Sequence, residues 1–185
     1  MTLWLVRHAQ PLVKAGLCYG ALDLAADPAA TAQTARALAD ALPTGIMLRS
    51  SPLQRCTELA QTLLALRADL SLQTDVRLVE MNFGRWEGRA WDDLPRAELE
   101  AWTADFAHYR AGGSGESVSQ VMERVGQALD NARCSGLDQV WITHGGVIKA
   151  ASLLVRGVSV VENPCDWPSQ GLSWGQWCRV EPAPV

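Results

Sequence analysis

The sequence predicts a three-layer α/β/α fold with a largely parallel central sheet. Three observations carry that expectation. Short apolar runs at residues 3–6, 46–48 and 140–143 are too brief for helices and read as buried strands. Segments with helical spacing of apolar residues lie between them, so strands and helices alternate along the chain. The strand runs are apolar at nearly every position, as in a sheet covered on both faces.

The first strand, LWLV, runs straight into Arg7, His8, Ala9 and Gln10, so it delivers an arginine and a histidine to its carboxyl end. Open α/β sheets bind their ligands at that edge. Residues 11–26 hold no sustained period and contain Gly16, Gly20 and Asp23, which predicts a loop arching over the strand end. Asp27-Pro28 supplies an N-cap and a first-turn proline for a helix over 29–42, which Pro43 and Gly45 stop. Residues 46–48 form the second strand and lead to Arg49, Ser50 and Ser51. Ser51-Pro52 then starts a second helix, with Ser51 as its cap and Leu53, Cys56, Ala60, Leu63 and Leu64 on one face. That places Arg55 at the end of the first turn, beside the strand edge. Cys56, on the apolar face, is expected to fill core. Residues 70–74 alternate weakly as a third strand, and Leu78-Val79-Glu80 sets a carboxylate beyond it.

From 83 to 115 the composition shifts to tryptophan, glycine and charge, with a helical patch over 94–109. A structureless loop of that length is unusual, so the stretch is expected to be an insertion or lid packed over the sheet. Trp86, Trp91 and Trp102 cluster within it and are suited to lining a pocket, whereas Trp4 and Trp141 lie in strand-like runs and belong to the core. His108 sits in a polar stretch without a partner motif and is expected at the surface. Ser117 and Gln120 make a capping box for a helix to about 133, striped by Val118, Val121, Met122, Val125 and Leu129. The strand over 140–143 ends in His144-Gly145-Gly146. A helix over 147–155, a Pro- and Trp-rich connection and a last strand over 174–180 complete the chain.

At 185 residues the chain suits a single domain, 1–185, able to bury roughly 70% of its unfolded surface. A net charge of -4 and a pI near 5.3 argue against a nucleic-acid surface or an electrostatic membrane contact. An anionic ligand must therefore be attracted locally. The opening apolar run lacks the length and basic flank of a signal peptide, and no run of about eighteen apolar residues occurs later. The expected compartment is the cytoplasm, where five cysteines without a CxxC pair stay reduced, and the expected state is a monomer or homodimer.

The strand-to-helix junctions carry Arg7 and His8, then Arg55, then Glu80, then His144. In a parallel sheet they converge on one edge. Two guanidinium forks and two imidazoles in an acidic chain point to a phosphate group, and helix N-termini add to such an anion site. A neutral imidazole is a competent nucleophile, and His8, rigidly placed by its strand, is the expected one. Arg7, Arg55 and a protonated His144 are expected to neutralise the transferring phosphoryl. Glu80, kept protonated by partial burial, is expected to donate to the leaving alcohol and later to assist water. Two other readings stay open: a metal hydrolase built on His8, His144 and a carboxylate, and a non-catalytic phosphate- or phosphopeptide-binding module. The chain has no HExxH-like ligand pair, and no GxGxxG comes after the first strand.

LWLVRHAQP, SSPLQRC, LVEMNFGRWEG, GESVSQVMERV and ITHGG, in that order between residues 3 and 146, resemble the successive motifs of the histidine phosphatase superfamily, the phosphoglycerate mutase-like group. The resemblance implies a phosphoglycerate mutase-like fold, a metal-independent phosphohistidine mechanism, and site positions Arg7, His8, Arg55, Glu80 and His144. GLCYGALDL, with Cys18, Tyr19, Gly20 and Asp23, is similar to a loop of the α-ribazole phosphatase branch. That likeness implies α-ribazole 5′-phosphate as a substrate, with Tyr19 and Trp86 expected at the leaving group. Other sugar or nucleoside monophosphates and a phosphohistidine-bearing protein are the alternatives. Ala9, Gln10 and Pro11 depart from the family, which has a glycine, an acidic residue and a threonine-like donor there. Alanine at a position of positive φ would cost about 1 kcal/mol. Pro11 offers neither a hydroxyl nor an N–H, which leaves Gln10 as the candidate phosphate contact. Mutases of the group carry a tail that shields the phosphoenzyme; the short end of this chain predicts hydrolysis instead.

Overall fold

The computed structural model describes residues 1–183. Its elements in chain order are β1 (Leu3–Arg7), α1 (Pro28–Ala41), β2 (Met47–Ser50), α2 (Gln54–Leu66), β3 (Ser71–Thr74), α3 (Arg96–Ala104), α4 (Val118–Ser135), β4 (Gln139–Thr143), α5 (Gly145–Val155) and β5 (Trp177–Val180). Five strands make one sheet in the order β3-β2-β4-β1-β5. The first four run parallel, and only β5 is antiparallel, pairing Leu3 with Val180 along the edge of β1.

Alternation along β1 divides the core. Leu3 and Leu5 face α4 and α5 together with Trp141, whereas Trp4 and Val6 face α1 and α2 with Leu48, Val140 and Ile142. Burial on both faces is why these strands are apolar at nearly every position. β3, at the sheet edge, is largely exposed, which accounts for its weak pattern. Trp4 and Trp141 are core residues, at 7% and 0% exposure.

Local chemistry sets most boundaries. The Asp27 carboxylate accepts the Ala30 amide ahead of α1, with Pro28 in its first turn. Ser117 and Gln120 close the expected capping box on α4. The helix of the 83–115 stretch is shorter than its periodicity suggests. Leu94, which precedes Pro95, is extended, and Asp105 leaves helical dihedrals after Ala104. The last strand begins at Trp177 instead of 174, because Gly175 turns at φ 71° and donates its amide to the His8 and Arg7 carbonyls. Among the described residues no helix is long and apolar enough to cross a membrane.

Candidate active site

The parallel register brings the two histidines together. Arg7 lies opposite Thr143, His8 and His144 each come one residue later, and the His8 amide donates to the Thr143 carbonyl at 3.0 Å. Their rings stand 5.1 Å apart between centroids. The Thr143 hydroxyl donates to the Leu78 carbonyl at 2.7 Å, which fixes the segment leading to Glu80 beside them.

His8 is 2% exposed, and its Nδ1 lies 2.6 Å from the Ala9 carbonyl. A carbonyl only accepts, so Nδ1 carries the hydrogen and Nε2 keeps its lone pair. Burial, reinforced by Arg55 and Arg7 against the Ala9 carbonyl, pushes the His8 pKa down to about 3. At neutral pH this ring is an uncharged base with one free nitrogen. Ala9 itself has negative φ, so alanine introduces no strain in the loop.

His144 is fully buried, and its Nε2 lies 2.8 Å from the Ser51 hydroxyl. That hydroxyl also accepts the Leu53 amide at 3.3 Å, which holds it against the ring. Burial, then Arg55, His8, Arg124 and Arg7, hold the His144 pKa well below the ordinary histidine value. The imidazolium expected from the sequence is therefore disfavoured in this structure: His144 is held neutral, first by burial and then by the neighbouring guanidinium groups.

Cys56 fills core as its spacing implies, whereas Ser51 differs from its sequence reading. α2 starts at Gln54, and the carboxylate that accepts its first amide is Asp23, at 2.6 Å. Ser51 is thus free to orient His144, while the Cys56 thiol touches the same ring, 3.5 Å from Nε2. Adjacency of β2 and β4, with the Ser51 amide on the Ile142 carbonyl, is the signal that sequence spacing lacks. Ser51→Ala is expected to lower kcat about 10- to 100-fold with KM changed less than about threefold, since His144 loses the partner that fixes its tautomer. Ser51→Thr should restore most of the rate, and ¹⁵N spectra of Ser51→Ala should show His144 shifting from a single tautomer to a mixture. An unchanged spectrum would remove Ser51 from this role.

Both site arginines are held by loop carbonyls. Arg7 donates from Nη1 to the Leu172 carbonyl at 2.6 Å and lies 5.5 Å from the Trp174 ring centre. Arg55 is fully buried and donates to the Leu22 and Gly20 carbonyls at 2.7 and 2.6 Å. Tyr19 packs on the Arg55 guanidinium at 5.6 Å, which is its place in this site. Glu80 accepts the Gly146 amide, in the first turn of α5, and the Met81 amide, each at 3.0 Å. A Cβ at residue 146 would collide with the Glu80 carboxylate, so the second glycine of HGG is required for this approach.

A cavity of about 620 Å³ opens from this edge. Arg7, Glu80, Gly146 and Lys149 line one end, and Phe83, Trp102, Phe106 and Trp167 line its walls, without Tyr19. Two sequence assignments are corrected by this arrangement. Trp86 is turned away from the cavity and is not among its lining residues: its indole N–H donates to Glu98 at 2.6 Å, and it packs among Trp91, Trp102 and Tyr109. Gln10 is exposed and lies in a separate groove between α1 and residues 173–177, because Pro11 pairs with Ala26 and turns the chain outward. Trp102, from the same cluster as Trp86, is the tryptophan that faces the cavity, and His108 is at the surface.

Chemically, the edge offers one free imidazole nitrogen, a neutral imidazole donor, two guanidinium groups and one carboxylate. Cations so close to the free nitrogen favour an anion over a metal ion.

Comparison with known proteins agrees with this geometry. Residues 3–165 match the family model of the histidine phosphatase superfamily (branch 1). A candidate phosphoserine phosphatase from Hydrogenobacter thermophilus is 27% identical over 164 residues, covering 85% of this chain and 80% of that protein. A candidate α-ribazole-5′-phosphate phosphatase from Escherichia coli superposes with a TM-score of 0.79 at 26% identity, covering 97% of this chain and 89% of that one. A mycobacterial glucosyl-3-phosphoglycerate phosphatase solved with inorganic phosphate gives 0.78 at 25% identity, covering 97% and 89%. With the motifs in order on one sheet edge, the chain belongs to the histidine phosphatase superfamily, branch 1, and is a phosphatase.

Proposed function

We propose that the protein hydrolyses small phosphate monoesters through a phosphohistidine on His8 Nε2, without metal or cofactor. One observation carries this reading: His8 is neutral, its Nδ1 hydrogen is committed to the Ala9 carbonyl, and its other nitrogen is free beside a second neutral imidazole. The ester dianion exchanges for the loop carbonyls on Arg7 and Arg55, a gain for both guanidinium groups because ionised acceptors bind them about twice as strongly. Nε2 then attacks phosphorus as the P–O bond to the alcohol breaks. The two arginines, the His144 imidazole and the α5 amides stabilise the equatorial oxygens. Glu80 passes a proton to the departing alkoxide. In the second half it takes one from water as the P–N bond breaks, which releases inorganic phosphate and regenerates the free ring.

For the leaving group we propose the riboside of α-ribazole 5′-phosphate. The GLCYGALDL loop, the E. coli neighbour and the aromatic cavity walls support it. Residues 83–115 act as the lid of a one-domain protein, supplying Phe83, Trp102 and Phe106 to those walls. The enzyme works in the cytoplasm as a monomer or homodimer, on a small ester and not on nucleic acid or at a membrane.

The test is hydrolysis of p-nitrophenyl phosphate and α-ribazole 5′-phosphate in the presence of a chelator, with acid quenching to trap the phosphoenzyme. Turnover that survives the chelator and an acid-labile adduct are expected. Loss of turnover with chelator would favour the metal hydrolase, and binding without turnover would favour the binding module. A kcat/KM for α-ribazole 5′-phosphate no better than for generic esters would remove the specific substrate.

A further inference from the structure

Glu87 is a partly buried carboxylate to which the phosphoryl-transfer steps assign no role, and it is not among the residues lining the cavity. Among the described residues no lysine or arginine pairs with it. Main-chain amides take its oxygens instead. Oε1 accepts the Ala21 and Phe83 amides, each at 2.9 Å, and Oε2 accepts the Leu22 amide at 2.6 Å. Bonds from amides to a carboxylate are about twice as strong as those between neutral groups, so three of them make a firm anchor.

The amides on Glu87 alternate with the carbonyls on Arg55. Arg55 Nη2 donates to the Gly20 carbonyl at 2.6 Å, and the N–H of that same peptide group is the Ala21 amide held by Glu87. Its dipole is aligned by a cation at one end and an anion at the other. Arg55 Nη1 donates to the Leu22 carbonyl at 2.7 Å, and the Leu22 amide is on Glu87 as well. Arg55 is fully buried, and among the described residues no carboxylate pairs with it, so residues 20–22 are the strap through which its charge is met. That strap has little room to rearrange. A Cβ at residue 20 would collide with the Met81 carbonyl, and Asp23, next along the chain, is fixed on the Gln54 amide at 2.6 Å.

We propose that Glu87 is the positioning residue for Arg55: from the far side of residues 20–22 it presents the two carbonyls that aim the buried guanidinium at the phosphoryl group. The inference rests on the phosphatase reading and goes beyond it, since Glu87 touches neither the substrate nor a reacting atom. When the dianion takes the guanidinium, the released carbonyls stay on Glu87 and take Arg55 back as phosphate leaves. The fork is therefore ordered before the ligand arrives, and binding does not have to order it.

The test measures the affinity for inorganic phosphate together with KM and kcat for p-nitrophenyl phosphate. Glu87→Ala is expected to weaken phosphate binding and raise KM by about tenfold each, with kcat changed less than about threefold. Glu87→Gln has the same shape and keeps one accepting oxygen, but it turns an NH2 group on the remaining amides, so a loss of about threefold is expected. In an Arg55→Met background, followed by ³¹P titration, adding Glu87→Ala should change phosphate affinity by less than about twofold, because the group through which Glu87 acts is gone. Unchanged affinity and KM in both Glu87 variants, with only the melting temperature lowered, would overturn the proposal by making the residue a support of the fold. A loss in the Arg55→Met background equal to that in the wild type would overturn it too, by moving the action of Glu87 to Phe83 and the Glu80 segment. Phosphate affinity is read without turnover, so failure of the hydrolytic chemistry leaves this result intact.

Discussion

Replacing His8 by alanine is expected to lower kcat/KM for any phosphate monoester by about 10⁴-fold or more and to abolish the acid-labile phosphoenzyme. The size reflects the groups the site retains. Arg7, Arg55 and the α5 amides would still gather the phosphoryl oxygens, but no other group near them offers an uncharged nitrogen with a free lone pair. His144 cannot substitute, because it is fully buried and its Nε2 is engaged by the Ser51 hydroxyl. The variant should therefore bind vanadate or orthophosphate within about tenfold of the wild type while failing to turn over. That split separates loss of a nucleophile from loss of the fold, since a collapsed site would lose both. Retention of the phosphoenzyme in the variant would move the nucleophile elsewhere and remove the basis of the mechanism.

The parts of this site that the sequence displays are those fixed by the ends of parallel strands. Arg7, His8 and His144 are legible because a buried strand can be recognised from its apolar run, and the residues at its carboxyl end must emerge on the ligand edge. Residues whose roles depend on a contact from elsewhere are not legible in this way. Ser51 reads as a helix cap because a serine before a proline ordinarily is one. Only when Asp23, 31 residues upstream of Gln54, supplies the carboxylate does the serine become available to His144. Trp86 and Trp102 are indistinguishable by composition. They are told apart by the Glu98 carboxylate that draws one indole into the core. The charge of His144 is a property of its surroundings: burial first, and then Arg55, hold its pKa well below the ordinary histidine value. Nothing in the sequence marks residue 146 as restricted to glycine; the Glu80 carboxylate, which occupies the space a Cβ would take, is what restricts it.

Two buried neutral histidines also make the fold sensitive to acid. In the unfolded chain each imidazole takes a proton near pH 6.5, whereas in the folded chain His8 does so near 3 and His144 well below its ordinary value. Below pH 6.5 the unfolded state thus binds more protons than the native state, so stability is full above that pH and declines as pH falls towards the folded values. Between pH 6.5 and 4.5 the His8 ring is expected to remove about 2 kcal/mol, an appreciable part of a typical domain's stability, and His144 adds a loss of the same sign. The window ends above the range in which Asp75 titrates; its pKa, despite burial, is lowered by Arg77 and Arg49, and its own acid loss comes below about pH 4. Urea unfolding at half-unit pH steps should show ΔG falling with a slope greater than one proton per molecule, and His8→Ala should reduce that slope by about one. A wild-type profile flat across this window would mean that both rings accept protons within the native fold. His8 would then be charged at acid pH, and its assignment as an uncharged nucleophile would lose its electrostatic support.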